Sequence, residues 1–475
     1  MFQTGVRQMR MAMSMVWGRP ISPRNVERLV EDALETLATF GAPGDDVQQL
    51  LEGPFSDPKV REDFQTRGLR RTARRLAKVS PYYRRLFDDN GIEPDRLTPE
   101  QMSSIPATLK RDLVASPSDF LANGSKPYVS TRTTGTTGRP AEIWLSRYEI
   151  ELWPAMAALS GLLRNEISPD DVMQVNISSR ATAAVQQNLT VCRLVGARSR
   201  MLGVVPAEES LDSLLGGGDT APTLLTTYPS YLAELVAAAR RRGVGPADFR
   251  LRRIDCGGEV LSSALSGAAY ETFGPRLVND TFGMTEILPV SGRVCDQGHL
   301  HHDLNMGFVE VVDFQTGAPV GPGALGTVVI TPYYPYRECM PVFRYDTRDI
   351  VRRLPDDALT CELAGVPATS RILGKADHLL RLGDEVVTLR DLVEVVEDLP
   401  SQPWPARFGA TVGDDRIQLH MPGDVLGGAS ASDLRRRLAE RGLDVDVSTV
   451  LDGRSGAQIR PLRADLLETT FVGRN

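Results

Sequence analysis

Between residues 127 and 370, short β-rich runs alternate with helical patterns and glycine turns, and this alternation restricts the available folds more than any other feature. Val172-Met173-Gln174-Val175, Thr223-Leu224-Leu225-Thr226-Thr227 and Arg253-Ile254-Asp255-Cys256 are such runs. Strands separated by helical stretches predict mixed sheets with helices packed against them, an α/β class. Gly307 to Tyr333 instead predicts consecutive strands, with turns at Gly317 and Gly321-Pro322-Gly323. Upstream, residues 23 to 52 and 66 to 88 read as helices. Val26, Leu29, Val30, Leu34 and Leu37 recur at helical spacing in the first; Leu69, Thr72, Leu76 and Val79 mark one face of the second. Arginines load the opposite face, which reads as solvated. A boundary falls near residue 375. Beyond it the pattern predicts a helix at 388–398, two strands within 406–421, a helix at 431–442 and a strand at 443–450. The chain is thus read as a large domain over 1–375, with 1–115 a helical lead-in, and a small α+β domain over 376–475.

The alternating region opens on Ser130-Thr131-Arg132-Thr133-Thr134-Gly135-Thr136-Thr137-Gly138-Arg139-Pro140, which holds six hydroxyls, two glycines and two arginines. Glycine lets backbone N–H groups approach an anion, hydroxyls donate hydrogen bonds, and arginine adds charge in a planar fork. Taken alone, the stretch is equally a flexible surface turn. Its flanks, Pro127-Tyr128-Val129 and Ala141-Glu142-Ile143-Trp144-Leu145, predict short strands that clamp it in a sheet. It does not fit the G-x-x-x-x-G-K-[ST] pattern, so any nucleotide is held in another way.

Composition excludes several classes. A net charge of −7 makes no general case for nucleic acid or an anionic membrane. Cys192, Cys256, Cys295, Cys339 and Cys361 are odd in number and lack close pairs, which argues for a reducing cytoplasm over a disulfide scaffold. Arg7 and Arg10 precede a short Met-rich run ending at Trp17, without the apolar core or cleavage site of a signal peptide. No apolar stretch is long enough to span a bilayer. Only five lysines occur (Lys59, Lys78, Lys110, Lys126 and Lys375), which makes each one's position informative.

Four further stretches carry chemistry. Cys256-Gly257-Gly258-Glu259-Val260-Leu261 opens a strand end into a glycine turn. Asn279-Asp280-Thr281-Phe282-Gly283-Met284-Thr285-Glu286 offers an aromatic face, a hydroxyl and a carboxylate. Phe343-Arg344-Tyr345-Asp346-Thr347-Arg348-Asp349 ends a strand in alternating charge, and Arg371-Ile372-Leu373-Gly374-Lys375-Ala376-Asp377 sits at the boundary. In this order and spacing they resemble the adenylate-forming superfamily and, within it, the phenylacetate–coenzyme A ligase family. Leu69-Arg70-Arg71-Thr72, Ser80-Pro81-Tyr82-Tyr83-Arg84-Arg85, Leu300-His301 and Val309-Glu310-Val311-Val312-Asp313 extend the likeness.

The resemblance implies a large N-terminal adenylate-forming domain and a small mobile C-terminal domain. Thr133, Thr134, Gly135, Thr136, Thr137, Gly138 and Arg139 would wrap the ATP phosphates, with Arg139 in the family's usual lysine position. Gly257, Gly258 and Glu259 would line the adenine pocket, closed by Phe282 and Gly283, with Phe282 stacking in place of the usual tyrosine. Thr285 would contact the α-phosphate and Glu286 would hold Mg²⁺. Asp349 would take the ribose hydroxyls, Arg371 would brace the ribose or phosphate, and Lys375 and Asp377 would form the hinge. The superfamily's C-terminal catalytic lysine is missing, since no lysine follows Lys375; Arg460 is read as its substitute, with Gln458 the other residue at that place. Arg180, Tyr228 and Pro229 are candidate substrate contacts. Some relatives bind structural zinc here, which would draw on Cys295, His301 and Cys361, with His299, His302 or Cys256 completing the set.

By resemblance, the activity is ATP- and Mg²⁺-dependent activation of a small aromatic carboxylic acid as acyl-AMP, then transfer to coenzyme A in the cytoplasm. Alternatives are transfer to a carrier protein or an amine, activation of an inorganic oxyanion such as nitrite, or a degenerate nucleotide-binding homologue. A homodimer is compatible with all of them.

Overall fold

The computed structural model describes residues 2–41, 52–133, 140–355, 359–399, 404–406, 408–413, 416–420 and 431–450. From the N-terminus, helices α1 (Phe2–Trp17), α2 (Pro23–Phe40), α3 (Pro58–Val79) and α4 (Pro81–Asp89) precede strands β1 (Pro127–Arg132) and β2 (Glu142–Ser146). There follow α5 (Arg147–Leu163), β3 (Val172–Asn176), α6 (Thr182–Val195), β4 (Arg198–Met201), α7 (Ala207–Leu215), β5 (Leu224–Thr227), α8 (Pro229–Arg242), β6 (Arg253–Gly257), α9 (Ser263–Phe273) and β7 (Leu277–Gly283). Next come β8 (Ser291–Val294), β9 (His299–His302), β10 (Gly307–Val312), β11 (Leu325–Pro332), β12 (Tyr345–Arg352) and β13 (Ala368–Ser370). The last part holds β14 (Gly374–Lys375), β15 (Leu380–Leu382), β16 (Glu385–Val387), α10 (Leu389–Glu397), β17 (Gly409–Gly413), β18 (Arg416–His420), α11 (Ala431–Glu440) and β19 (Val447–Val450). The α/β class read from the alternation holds, and each element predicted beyond residue 375 is observed, preceded by a β15–β16 hairpin that the pattern did not predict.

One expectation is corrected. The 66–88 stretch is two helices, because Pro81 has no N–H to continue α3. Ser80 ends the first helix and its hydroxyl accepts the Tyr83 N–H as the cap of the second. Proline at the first helical position fits there without loss. The predicted face of α3 is the buried one: Leu69, Thr72, Leu76 and Val79 are all inside. Of the predicted 23–52 helix, α2 is observed and residues 42–51 lie outside the described set.

The chain divides into two compact units. Unit 1 comprises Met1–Met173, Ser179–Met201 and Gly283–Arg371. Its β1 and β2 pair antiparallel, with Arg132 opposite Glu142. β11 lies between β10 and β12, antiparallel to both, and β9 between β8 and β13. Unit 2 comprises Gln174–Ser178, Leu202–Phe282 and Ile372–Asn475. Its β5, β6 and β7 pair in parallel. Helices α7, α8 and α9 pack Leu211, Leu232, Leu235, Leu265 and Phe273 on Leu225 and Ile254 of that sheet. A second core in the unit joins Leu392, Val396, Ile417, Leu419, Leu434 and Leu438 from the C-terminal elements with Val260.

Unit 1 also buries an ion pair. Glu149 and Arg337 are both fully inaccessible, with Nε 3.8 Å from the carboxylate. Glu149 closes a capping box with Ser146 at the start of α5 and accepts the Glu338 and Cys339 N–H groups at 2.8 and 3.1 Å. Arg337 stacks on Trp153, 5.4 Å from the ring centroid. Removing one partner leaves the other charge buried and unpaired. Glu149→Ala therefore lowers unfolding stability by about 3 kcal/mol or more in urea denaturation, whereas a loss below about 1 kcal/mol contradicts this assignment.

Candidate active site

The hydroxyl- and glycine-rich loop leaves the β1–β2 hairpin through a two-bond clamp. The Thr133 N–H donates to the Ala141 carbonyl, and the Ala141 N–H donates to Thr133 Oγ1, each at 3.0 Å. Thr133 is 9% exposed, so the loop's root is fixed inside unit 1. Thr134 to Arg139 lie outside the described residues, as do Gln458 and Arg460.

Elsewhere in unit 1, Glu286 and Asp349 are buried carboxylates. The Tyr345 hydroxyl donates to Glu286 at 3.4 Å, and Asp349 lies four residues along the same strand, β12. Burial, then the Glu286, Asp349 and Asp346 charges, hold the Tyr345 phenol far above its usual titration, so it remains a donor. The segment is backbone-strained at both ends: Arg344 and Arg348 adopt left-handed φ values of 50° and 60°. Such positions cost of order 1 kcal/mol each and persist where surrounding contacts over-determine them. Here the contacts are specific. The Arg344 guanidinium meets Glu310 at 3.2 Å and donates to the Gly317 carbonyl at 2.8 Å, while the Arg348 N–H donates to Asp346 Oδ1 at 2.8 Å. Burial raises the Glu310 carboxyl to about 7 against the opposing pull of Arg344. Thr285 and Arg371 are half-buried and Arg180 is exposed.

In unit 2 the predicted residues gather at the C-terminal ends of β5, β6 and β7, where parallel strands of an open α/β sheet present their ligands. Gly257 and Gly258 require glycine. A Cβ on Gly257 would stand 2.7 Å from Thr281 Oγ1, and Gly258 has φ +80°, where a Cβ would lie 3.5 Å from the Tyr228 ring. Tyr228 precedes α8, and its hydroxyl accepts the Ser178 N–H at 3.2 Å; Pro229 opens the helix. The Glu259 carboxylate receives the Ser230 N–H at 2.8 Å and the Ser230 hydroxyl at 2.9 Å, so its charge anchors the start of α8. Phe282 is 8% exposed and Gly283 beyond it is exposed. Lys375 ends β14, and Asp377 is exposed in the turn Ala376–His378.

A separate cluster in unit 1 brings Cys295, His299, His301 and Cys361 together, their ligand atoms all within 4.8 Å of one another. Cys295 follows β8, a tight turn at Gly298 leads into β9, and Cys361 Sγ lies 3.5 Å from His301 Nε2. His299 supplies the fourth position that the sequence left open. Its signal was the strand period: residues two apart share a face, so His299 accompanies His301 and His302 does not. Burial, as the largest cause, lowers His301 to about 4, keeping the imidazole neutral. Nδ1 of both His299 and His301 is buried without a hydrogen-bond partner among the described residues.

The residue that sequence reasoning missed is Arg390 on α10, whose guanidinium reaches several of the predicted segments of unit 2. No helix among the described residues is long and apolar enough to cross a membrane.

The chain resembles known proteins in sequence and in fold. A phenylacetate-coenzyme A ligase of Thermus thermophilus is 27% identical over 331 residues, covering 67% of this chain and 71% of that protein. One from Escherichia coli is 27% identical over 327 residues, with the same coverages. A crystal structure of 2-hydroxyisobutyryl-CoA ligase in its postadenylation state superimposes with TM-score 0.64 at 20% identity, over 84% of this chain and 87% of that one. An anthranilate CoA ligase with anthranoyl-AMP gives TM-score 0.51 at 16% identity, over 74% and 69%. At such identities the structural likeness concerns the fold. The model of the AMP-binding enzyme family matches residues 88–334, slightly more than half of the chain, and the protein belongs to that family.

Proposed function

We propose that the protein activates a small aromatic carboxylic acid with ATP as an acyl-AMP and passes the acyl group to coenzyme A. The observation that carries this reading is a pair of buried carboxylates in the unit that also clamps the Thr/Gly loop: Glu286, which accepts the Tyr345 hydroxyl, and Asp349, four residues beyond Tyr345 on β12. A carboxylate oxygen of the acid attacks the α-phosphorus, the bond to the β-phosphate oxygen breaks, and pyrophosphate leaves. The coenzyme A thiolate then attacks the acyl carbon and AMP departs. Thr133 to Arg139 grip the β- and γ-phosphates. Thr285 donates to the α-phosphate, whose charge grows as the new bond forms. Asp349 accepts the ribose hydroxyls, Arg371 braces the ribose, and Gly257, Gly258 and Phe282 enclose adenine. Glu286 offers hard oxygen ligands suited to Mg²⁺, which when bound neutralises charge on the phosphates. The phenylacetate-named relatives and the Tyr228 ring over Gly258 support an aromatic acid.

The Cys295–His299–His301–Cys361 set fits zinc. Two cysteine sulfurs, which bind zinc as thiolates, and two imidazole nitrogens make a closed tetrahedral complement, and the 3.5 Å between Cys361 and His301 is close to the edge of such a tetrahedron. With four protein ligands the site is structural, holding the β8–β9 turn to the segment that carries Cys361.

Pyrophosphate exchange into ATP across a panel of aromatic acids is acid-dependent. Arg460→Ala abolishes exchange while sparing ATP binding, because a positive donor at the reacting phosphate is worth about 3–4 kcal/mol of the barrier. ATP binding with no exchange for any acid sinks the ligase reading in favour of a degenerate homologue. Purified protein carries about one equivalent of zinc, and Cys361→Ser abolishes it. Less than about a tenth of an equivalent in the unsubstituted protein contradicts the site.

A further inference from the structure

Helix α10 turns Leu392, Val393, Val395 and Val396 into the C-terminal core, yet three of its charged side chains are buried as well: Arg390, Glu394 and Glu397, at 4, 6 and 3% exposure. Burying charges costs several kcal/mol per ion unless partners compensate. The partners all lie within unit 2. Arg390 Nη1 donates to the Leu261 carbonyl at 2.8 Å and to Glu394 at 3.2 Å. Nη2 meets Asp280 Oδ2 at 3.2 Å, and Nε donates to the Ile372 carbonyl at 2.7 Å. Glu394 accepts the Ser263 N–H at 2.9 Å, and Glu397 accepts the Ser262 hydroxyl, both at the start of α9.

The three segments that Arg390 joins are not arbitrary. Leu261 closes the glycine turn that begins at Gly257. Asp280 is two residues before Phe282. Ile372 is next to Arg371. One guanidinium therefore bonds both segments assigned to adenine and the residue that follows Arg371. Its planar fork serves acceptors in three directions, which a lysine ammonium on a flexible stem does not reproduce.

We propose that Arg390 is a positioning residue of the nucleotide site: it touches no nucleotide but holds the far end of the glycine turn, at Leu261, against Asp280 on the Phe282 strand. This rests on the adenylate-forming reading above. The test is ATP titration by calorimetry without any acid, on the full chain. Arg390→Met weakens ATP binding by about tenfold or more, the scale on which ångström-sized misplacements act. Arg390→Lys weakens it nearly as much despite keeping the charge. Leu434→Ala, which loosens the same core away from Arg390, lowers the melting temperature but leaves ATP affinity unchanged. Should Arg390→Met not fold, Arg390→Lys and Asp280→Asn decide. Unaltered affinity in the Arg390 and Asp280 variants that fold, or an equal loss in Leu434→Ala, overturns the proposal. Unsubstituted protein that binds no ATP overturns the ligase reading instead.

Discussion

Parallel pairing of β5, β6 and β7 is the constraint from which the organisation of unit 2 follows. A parallel strand cannot turn back on itself, so each must be followed by a crossover helix, and the residues after every strand collect at one edge of the sheet. Tyr228 after β5, Gly257 and Gly258 at the end of β6, and Phe282 near the end of β7 meet there although a whole helix and its turns separate each strand from the next. The glycines are required there for two reasons: Thr281 already occupies the space in which a side chain of residue 257 would stand, and residue 258 has a left-handed φ of +80°.

Unit 1 solves a different problem, holding polar segments that contribute little apolar surface. Its means is buried charge held in specific ion pairs. Glu149 takes two backbone N–H groups and a helix cap beside Arg337, and Arg344 holds Glu310 and the Gly317 carbonyl while its own backbone is strained. Such pairs add little net stability against an apolar alternative, but breaking one is costly, so they fix geometry more than they strengthen the fold. The motif from Phe343 to Asp349 depends on this, since two left-handed residues hold their conformation only under close constraint.

Much of this was legible in the residues. Periodicity gave the strands and the buried face of α3, and five motifs in register gave the family. The break at Ser80-Pro81 was also written in the sequence, because proline ends one helix as readily as it begins another, and the continuous helical spacing across it concealed the signal. His299 was legible too, through the two-residue period of a strand. Arg390 was not. It is one arginine among 49, at a helix position with ordinary spacing, and its partners Leu261 and Asp280 lie 129 and 110 residues away. Local pattern carries no information about contacts of that range. Glu259 shows a related limit: its place in a motif does not disclose that its carboxylate caps α8.

The central claim is that the acid's own oxygen becomes bonded to the α-phosphorus of ATP. Turnover of a carboxylate-¹⁸O-labelled acid that supports exchange, with coenzyme A present, tests it most directly. Transfer of one label per turnover into AMP is the predicted result. Label recovered in inorganic phosphate, with ADP formed in place of AMP, would place the attack at the γ-phosphorus and contradict the account.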